Sequence, residues 1–458
     1  MSTNDDLRII QYLGNKIKVA DEIKEVIYKL SNTGETIVDI FSGTGIVGDI
    51  LQTDYRIISN DIQEYSFLLN KVLLDDFDLT ILTEYDINSL YQSQAFKDNF
   101  DELSSRFRKQ LEYEKKILES ENIKKLVDLN EADIFYNGTN MCLNEEINNI
   151  YKDVLELYSD KNINEYQENN NKFPYILFSL YYSNGYFSLA QTIEIDSLRY
   201  AIDSLSDKAY YEDPQKIVLL ASLMHAISEI VSSVGKHFAQ PIKTINRNNN
   251  IKSFAANRCL RDRKRELKSY FVRMYDKIIK EKKYGNYKNK IFNLEYNQLL
   301  DKLNENVNEI DVFYLDPPYT IDHYSRFYHI PETLVKYDYP DLDFRNYKGK
   351  SILMNGRYRS DRFQSNFCIK SKVESEFRNI ISRIKNEFDS KIVLSYSEND
   401  SNKNSRNRVI DKESLIEIIN DYYDNVEIKY FDYNYRKLNK QENNIENANE
   451  NELLIICS

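Results

Sequence analysis

Apolar positions along this chain follow two rhythms. Short runs such as Ile37-Val38, Ile57-Ile58 and Val312-Phe313-Tyr314-Leu315 are hydrophobic without alternation, as in strands buried on both faces. Lys391–Ser397 and Glu452–Cys457 read the same way. Between the second and third of these runs lies a long polar stretch, rich in Asn and Tyr and poor in Gly. Its apolar residues recur at helical spacing over Phe96–Leu118, Glu145–Tyr158, Leu198–Leu205, Gln215–Val234 and Leu260–Lys282. Lys161–Asn171 reads as a low-complexity turn or loop, and Ala20–Leu30 as an early helix. The pattern predicts an α/β chain: a Rossmann-like sheet built from residues 1–74 and 288–458, interrupted by a mostly helical insertion over 75–287.

The ends of the strand-like runs carry the candidate chemistry. Val312–Leu315 stops at Asp316-Pro317-Pro318-Tyr319. Two prolines cannot donate to a sheet ladder, so the strand ends there while its carbonyls stay able to accept. A carboxylate, a prolyl carbonyl and a flat aromatic can together hold and stack an exocyclic amine on a nucleobase taken out of its stack. An ordinary turn after a strand is the plainer account of the same four residues. The run Ile37–Ile40 leads into Phe41-Ser42-Gly43-Thr44-Gly45 and then an amphipathic stretch. Glycines at such a strand-to-helix turn let a ligand approach the backbone. The next strand ends at Asp61, where an acid commonly holds the two hydroxyls of a ribose. Gly43, Gly45 and Gly48 also fit the spacing of a nicotinamide-dinucleotide loop, so this turn alone leaves both ligands open. Upstream, Gln11-Tyr12-Leu13-Gly14-Asn15-Lys16 reads by itself only as a turn before a helix.

Taken in order, Tyr-Leu-Gly-Asn-Lys, Asp-Ile-Phe-Ser-Gly-Thr-Gly, Ser-Asn-Asp and Asp-Pro-Pro-Tyr resemble the Dam-like, alpha-ordered DNA adenine methyltransferases, in particular the restriction-modification branch. Tyr186–Gln191, Val234–Gln240 and Gly356–Arg359 give softer support. The resemblance implies a methyltransferase sheet that uses S-adenosylmethionine. It implies that Tyr12, Gly14 and Lys16 hold the methionine end, that Asp39, Phe41, Gly43 and Gly45 surround the cofactor, and that Asp61 and Ile62 take its ribose and adenine. Glu295, in a degenerate third motif, is the candidate near the adenine, although Asn293–Tyr296 reads equally well as a plain amphipathic segment. Asp316, Pro317, Pro318 and Tyr319 match the catalytic motif. An insertion in this place is where the family keeps its target-recognition domain.

That chemistry needs no covalent intermediate, only an amine held in line with the methyl. Methylation of cytosine carbon 5 would need a thiolate, and the family that does it has Pro before its Cys. None of Cys142, Cys259, Cys368 and Cys457 follows a Pro. The 4-amino group of cytosine stays as an alternative, as does a non-catalytic DNA binder on the same fold, or an RNA or protein methyltransferase.

Charge changes the picture only when it is located. The net charge of −12 looks wrong for a DNA binder, but Lys236–Lys283 carries fifteen Lys or Arg against four acids, and the remainder is correspondingly more acidic. A solvated helix face is the bland account of each charge; the cluster suggests phosphate contacts. The expected DNA-facing residues are Lys236, His237 and Gln240, then Arg258, Arg261, Arg263, Lys264 and Arg265. Tyr324 and Arg326 after the catalytic turn complete them, with Arg357 and Arg359 on a second surface. Glu266-Leu267-Lys268 has the acid-x-Lys look of a nuclease motif, but no partnered acid stands in a convincing upstream strand. Scattered cysteines argue against a disulfide framework and a zinc site. Ile217–Val234, the most apolar long stretch, contains His225, Glu229 and serines and reads as a core helix. The expectation is a cytoplasmic enzyme with no metal and no membrane span, acting on double-stranded DNA, beside a separate restriction endonuclease.

Overall fold

Among the described residues nine strands are formed: β1 (Thr36–Asp39), β2 (Arg56–Asn60), β3 (Lys290–Phe292), β4 (Val312–Leu315), β5 (Phe344–Tyr347), β6 (Lys350–Leu353), β7 (Lys391–Ser397), β8 (Val426–Tyr430) and β9 (Glu452–Cys457). The computed structural model describes residues 7–10, 16–131, 145–151, 160–306, 309–318, 324–347, 349–397, 408–431 and 452–458. Seven strands make one sheet in the order β3-β2-β1-β4-β7-β9-β8, and β5 pairs with β6 apart from it. The strands from β3 to β7 run parallel; β9 is antiparallel to both of its neighbours. The mostly parallel sheet with helices on both faces is a Rossmann-like arrangement, as the sequence pattern predicts.

Period-two alternation within the buried runs explains the two layers. Ile37, Ile57, Tyr314, Val393 and Leu454 face one core. That core also takes Ile23 and Ile27 of α1 (Ala20–Leu30), Val47 and Leu51 of α2 (Ile46–Leu51), and Leu68 and Val72 of α3 (Glu64–Leu74). Val38, Ile58, Phe313, Leu394 and Ile455 face the other, against Leu299 and Leu303 of Tyr296–Asn306, Phe377 and Ile381 of Val373–Arg383, and Leu415 and Ile419 of Lys412–Asn420. The strands are therefore apolar on consecutive residues because each residue has a core to enter.

Residues 75–287 are helical wherever described, apart from short turns, 3-10 segments and isolated bridges. The expected helix boundaries shift in physically readable ways. Phe96–Leu118 is two helices, Gln94–Arg106 and Arg108–Ser120, parted at Phe107, whose ring is fully buried. Leu260–Lys282 divides into Ser253–Arg263 and Leu267–Glu281. The predicted Leu198–Leu205 is the last part of Leu189–Asp203, which starts at a capping box: Ser188 Oγ accepts from Gln191 N, and Gln191 Oε1 accepts from Ser188 N. Lys161–Asn171, expected as a loop, is largely helix Asp160–Glu168, because Ile163 and Tyr166 reach the core on one side of a polar sequence. Gln215–Val234 is the buried helix Pro214–Ile230, capped by Asp213. Of Glu145–Tyr158 the structure describes Glu145–Tyr151 as helix; residues 152–159 lie outside the described residues.

Candidate active site

The C-terminal ends of β1, β2 and β4 open onto one cavity of about 370 Å³. This is the edge at which ligands bind in doubly wound sheets. Lys16, Asp39, Phe41, Gly43, Asp61, Ile62, Glu295, Asp316, Pro317 and Pro318 all line it. Residues spread from 16 to 318 in the sequence are thereby brought together as expected.

The glycine turn is shaped from behind by α3. Gly43 and Gly45 have φ of +52° and +80°, and a Cβ on Gly45 would lie 2.6 Å from Asn70 Oδ1. Only glycine takes such a conformation without strain at that distance. Asn70 Nδ2 donates to the Gly43 carbonyl at 3.2 Å, and Ser59 Oγ donates to Asn70 Oδ1 at 2.6 Å, so this buried amide ties the turn to β2. Asp61 closes the loop from the other side: its carboxylate accepts from Gly43 N at 2.9 Å and from Gln63 N at 2.8 Å. Burial outweighs these bonds and moves the Asp61 carboxyl up to about 7.

Asn60 fastens β2 to the segment after β3. Its amide donates to the carbonyls of Ile40 and Leu294, both at 3.1 Å, and accepts from Leu294 N at 3.0 Å. The third strand itself is Lys290–Phe292, just before the sequence expected to carry the motif. Glu295 does reach the cavity, but its carboxylate accepts from Asn297 N at 2.8 Å and so caps the helix Tyr296–Asn306; both readings of this segment describe part of it. Phe41, Tyr296 and Phe367 form an aromatic wall there, with ring centroids 5.5 to 6.1 Å apart.

Acids dominate the deep end. Asp39 is 2% exposed, and neither of its carboxylate oxygens has a hydrogen-bond partner. Burial and the neighbouring Asp316 and Asp61 carboxylates hold its carboxyl well above the ordinary range. Lys16 Nζ lies 3.0 Å from Asp316 Oδ2 and 2.8 Å from Glu452 Oε1. The Asp316 carboxyl is pushed up to about 6, chiefly by burial; Lys16 opposes the rise and Glu452 adds to it. The Tyr314 hydroxyl, two residues before Asp316, is buried without a partner. Cys368 Sγ donates to the Pro318 carbonyl at 3.4 Å. Glu452 and the wall Phe363–Cys368 were not expected from the sequence. Glu452 does not line the cavity; it sits in an apolar strand run with no motif around it, and strand pairing brings it to Lys16. Tyr12, Gly14 and Tyr319 lie outside the described residues, as do the side chains of Lys236 and Tyr324.

The expected DNA-facing residues divide. Arg261 is 66% exposed, Lys264 is 38% exposed in an ion pair with Glu121, and Gln240 is exposed. Several others are corrected by the structure. Arg263 is buried, donating to Asn130 Oδ1 at 2.9 Å and to the Asn184 carbonyl. Arg357 is buried and donates to the carbonyls of Tyr181 and Ser183 at 2.8 and 2.9 Å. Arg359, also buried, makes a two-pronged pair with Asp338 at 2.6 and 2.7 Å and a second pair with Asp361. Arg258 donates to the Ser233 carbonyl and Arg265 to that of Glu229. His237 is buried with its ring 4.6 Å from that of Phe327, and Arg326 lies over the Tyr358 ring at 5.6 Å. A guanidinium has five donors, and buried loop carbonyls need donors as phosphates do.

The three softer sequence stretches meet at one junction. The Tyr186 hydroxyl lies 2.8 Å from the Phe238 carbonyl and 3.0 Å from that of Gly356, and the Tyr358 hydroxyl donates to the Ala239 carbonyl. Phe238 N donates to the Phe327 carbonyl at 3.0 Å, which ties the junction to the short helix Tyr324–Phe327 that follows β4 in the chain.

Residues 12–170 match the family model of D12 class N6 adenine-specific DNA methyltransferases. Over that segment the chain is similar to this family. It is 25% identical over 375 residues to modification methylase LlaI of Lactococcus lactis subsp. lactis, covering 82% of this chain and 44% of that protein. It is also 25% identical over 377 residues to the type II methyltransferase M.FokI of Planomicrobium okeanokoites, covering 82% and 43%. Modification methylase StsI of Streptococcus sanguinis is 21% identical over 414 residues, covering 90% and 46%. The chain thus spans less than half the length of the curated relatives it matches. Among the described residues, no cluster of His, Cys, Asp and Glu could hold a metal ion, and no helix is long and apolar enough to cross a membrane.

Proposed function

We propose that this chain transfers a methyl group from S-adenosylmethionine to the 6-amino group of adenine in duplex DNA, the adenine being flipped into the cavity. In this reading it is the modification enzyme of a restriction-modification system in the cytoplasm, with a separate endonuclease as counterpart. The single observation that carries the proposal is the position of Asp316-Pro317-Pro318 at the end of β4, in the same cavity as the glycine turn and Asp61.

The residues fit the cofactor. Asp39 offers two unpartnered, buried carboxylate oxygens in a cavity where acids outnumber the one lysine, which suits a ligand end bearing an ammonium and a sulfonium. When bound, the cofactor supplies an electrophilic methyl on sulfur. Asp39 and Lys16 would hold its methionine end, Asp61 its ribose, and Ile62 with the wall of Phe41, Tyr296 and Phe367 its adenine. Glu295 would lie beside that wall.

Asp316 would accept one N–H of the target amine as a carboxylate and the Pro317 carbonyl would accept the other. Both bonds favour a pyramidal nitrogen whose lone pair faces the methyl, so this chain contributes position and electrostatics. Tyr319 would stack on the base. We assign target recognition to the helical segment 75–287, discontinuous from the catalytic residues 1–74 and 288–458. Its exposed cations, Arg261 and Lys264 among them, would meet phosphates, together with Gln240 and Arg326 near the wall. The hairpin-like stretch 241–253 adds exposed Lys243, Arg247 and Lys252, with no acid between Gly235 and Arg261.

The test is expression in a bacterial host whose DNA carries no methylation, followed by single-molecule sequencing that detects modified bases. Methyl groups on adenine within one short motif are expected. Unmodified DNA alongside soluble protein that binds labelled cofactor would overturn the reading.

A further inference from the structure

Lys16 is 6% exposed and stands between two carboxylates, Asp316 at 3.0 Å and Glu452 at 2.8 Å. Glu452 is 2% exposed and opens β9, where it pairs with Ser397 at the end of β7. Ser395 Oγ donates to it at 3.4 Å. One buried and one partly exposed carboxylate around one ammonium leave an excess negative charge, which is costly unless it does something. A lysine alone would have neutralised Asp316. The chain instead brings a second acid to that lysine from β9, two strands away from β4.

We propose, resting on the function given above, that Glu452 is a positioning residue for methyl transfer: by holding Lys16, it keeps the Asp316 carboxylate available to the target amine. With Glu452 in place, the charge of Lys16 is divided between two acids. Asp316 stays ionised in a buried place and still accepts a hydrogen bond strongly. Without it, Lys16 turns more of its charge to Asp316, which becomes less basic and is held more firmly to the lysine. Among the described residues, the other groups facing Asp316 are Asp39 from β1, Tyr314 from β4 and Ser395 from β7; the side-chain oxygens of Asp39 and Tyr314 are without hydrogen-bond partners there.

The experiment compares the full chain with Glu452→Gln, which keeps the shape of the side chain, and Glu452→Asp, which keeps the charge but retracts it by one methylene. Because Glu452 raises the Asp316 carboxyl, its neutralisation lowers it. The acidic limb of the kcat profile on duplex DNA is expected to move to lower pH by about one unit in Glu452→Gln and by less in Glu452→Asp. Above neutral pH, kcat is expected to fall about tenfold, with KM for the cofactor little changed. A second readout needs no turnover. With aspartate labelled at the carboxyl carbon, the Asp316 resonance, identified by its loss in Asp316→Asn, titrates near 6 in the parent chain and lower in the Glu452 variants. Near-UV circular dichroism checks that each variant is folded, and Glu452→Asp serves if Glu452→Gln is not. A limb and a resonance midpoint that stay put in folded variants would overturn the proposal. A parent chain that methylates no DNA, while the midpoint still moves, would overturn the function and leave the link from Glu452 through Lys16 to Asp316 standing.

Discussion

The cavity and the basic stretch Lys236–Lys283 use charge in opposite ways. Among the described residues, the cavity is lined by Asp39, Asp61 and Asp316 with Lys16 as its lysine, and Glu452 meets that lysine from outside the lining. Unsatisfied charge in a buried place marks a site for a ligand of opposite charge. The basic stretch looks in sequence like a surface for polyanions, yet Arg258, Arg263 and Arg265 turn inward onto backbone carbonyls. Arg357 in the second cluster does the same. Density of charge in the sequence therefore does not locate the DNA surface. In the proposed reading exposure is the better guide, and among the described residues it leaves Arg261, Lys264, Lys268, Arg273, Lys280 and the hairpin-like stretch 241–253.

The contrast can be broken most sharply at Asp316. Asp316→Ala is expected to lower methyl transfer about 10³-fold, with cofactor binding by calorimetry largely kept. Normal transfer by that variant would remove the catalytic half of the comparison. The next largest effect is expected at Arg357. If it is a structural donor, Arg357→Ala leaves the Tyr181 and Ser183 carbonyls buried without it and destabilises the fold by about 3 kcal/mol in a denaturant titration. The folded fraction should then bind duplex DNA as before; a selective loss of DNA affinity with unchanged stability would return Arg357 to the interface.

Acidity gives a smaller and broader effect. Asp316 and Asp61 titrate near 6 and 7 in the folded chain, above their ordinary values, and the folded state therefore holds more protons than the unfolded one. Their contribution to stability is highest below the unfolded carboxylate range and falls as pH rises towards those values. Without cofactor, Tm is expected to be lower at pH 8 than at pH 6, and a cationic ligand in the cavity should narrow the gap. A flat profile would mean these carboxylates are balanced by groups other than Lys16. Smallest of all, Arg261→Ala should weaken duplex binding a few-fold and reduce the salt dependence by about one counterion, with no change in stability.

What was legible in the sequence follows the same division. β1, β2, β4 and their turns could be read because each function sits within a few residues of a strand end, and proline, glycine and acid have one geometric meaning there. The helical character of 75–287 was legible from periodicity. Its breaks were not, since Phe107 looks like any other apolar position until its burial is known. Glu452 was invisible because its meaning comes from Lys16, at the other end of the chain. The buried arginines misled because a guanidinium in the sequence does not reveal whether it will meet a phosphate or a carbonyl. Tyr186, Phe238, Gly356 and Tyr358 were noticed only as similar stretches, and their shared hydrogen bonds explain why they occur together.

One consequence of β9 concerns how the molecule comes into being. β9 lies between β7 and β8 and pairs with both, although it follows them in the chain. During synthesis β7 and β8 therefore emerge with bare inward edges, and the slot between them waits for a strand of six residues, Glu452–Cys457. Pairings so distant in sequence form slowly, and exposed strand edges invite the wrong neighbour meanwhile. Arrival of that strand closes the sheet and seats Glu452 against Lys16 in the same event. A nascent chain that has already shaped its glycine turn thus still lacks the last member of its charged triad until the sheet is sealed.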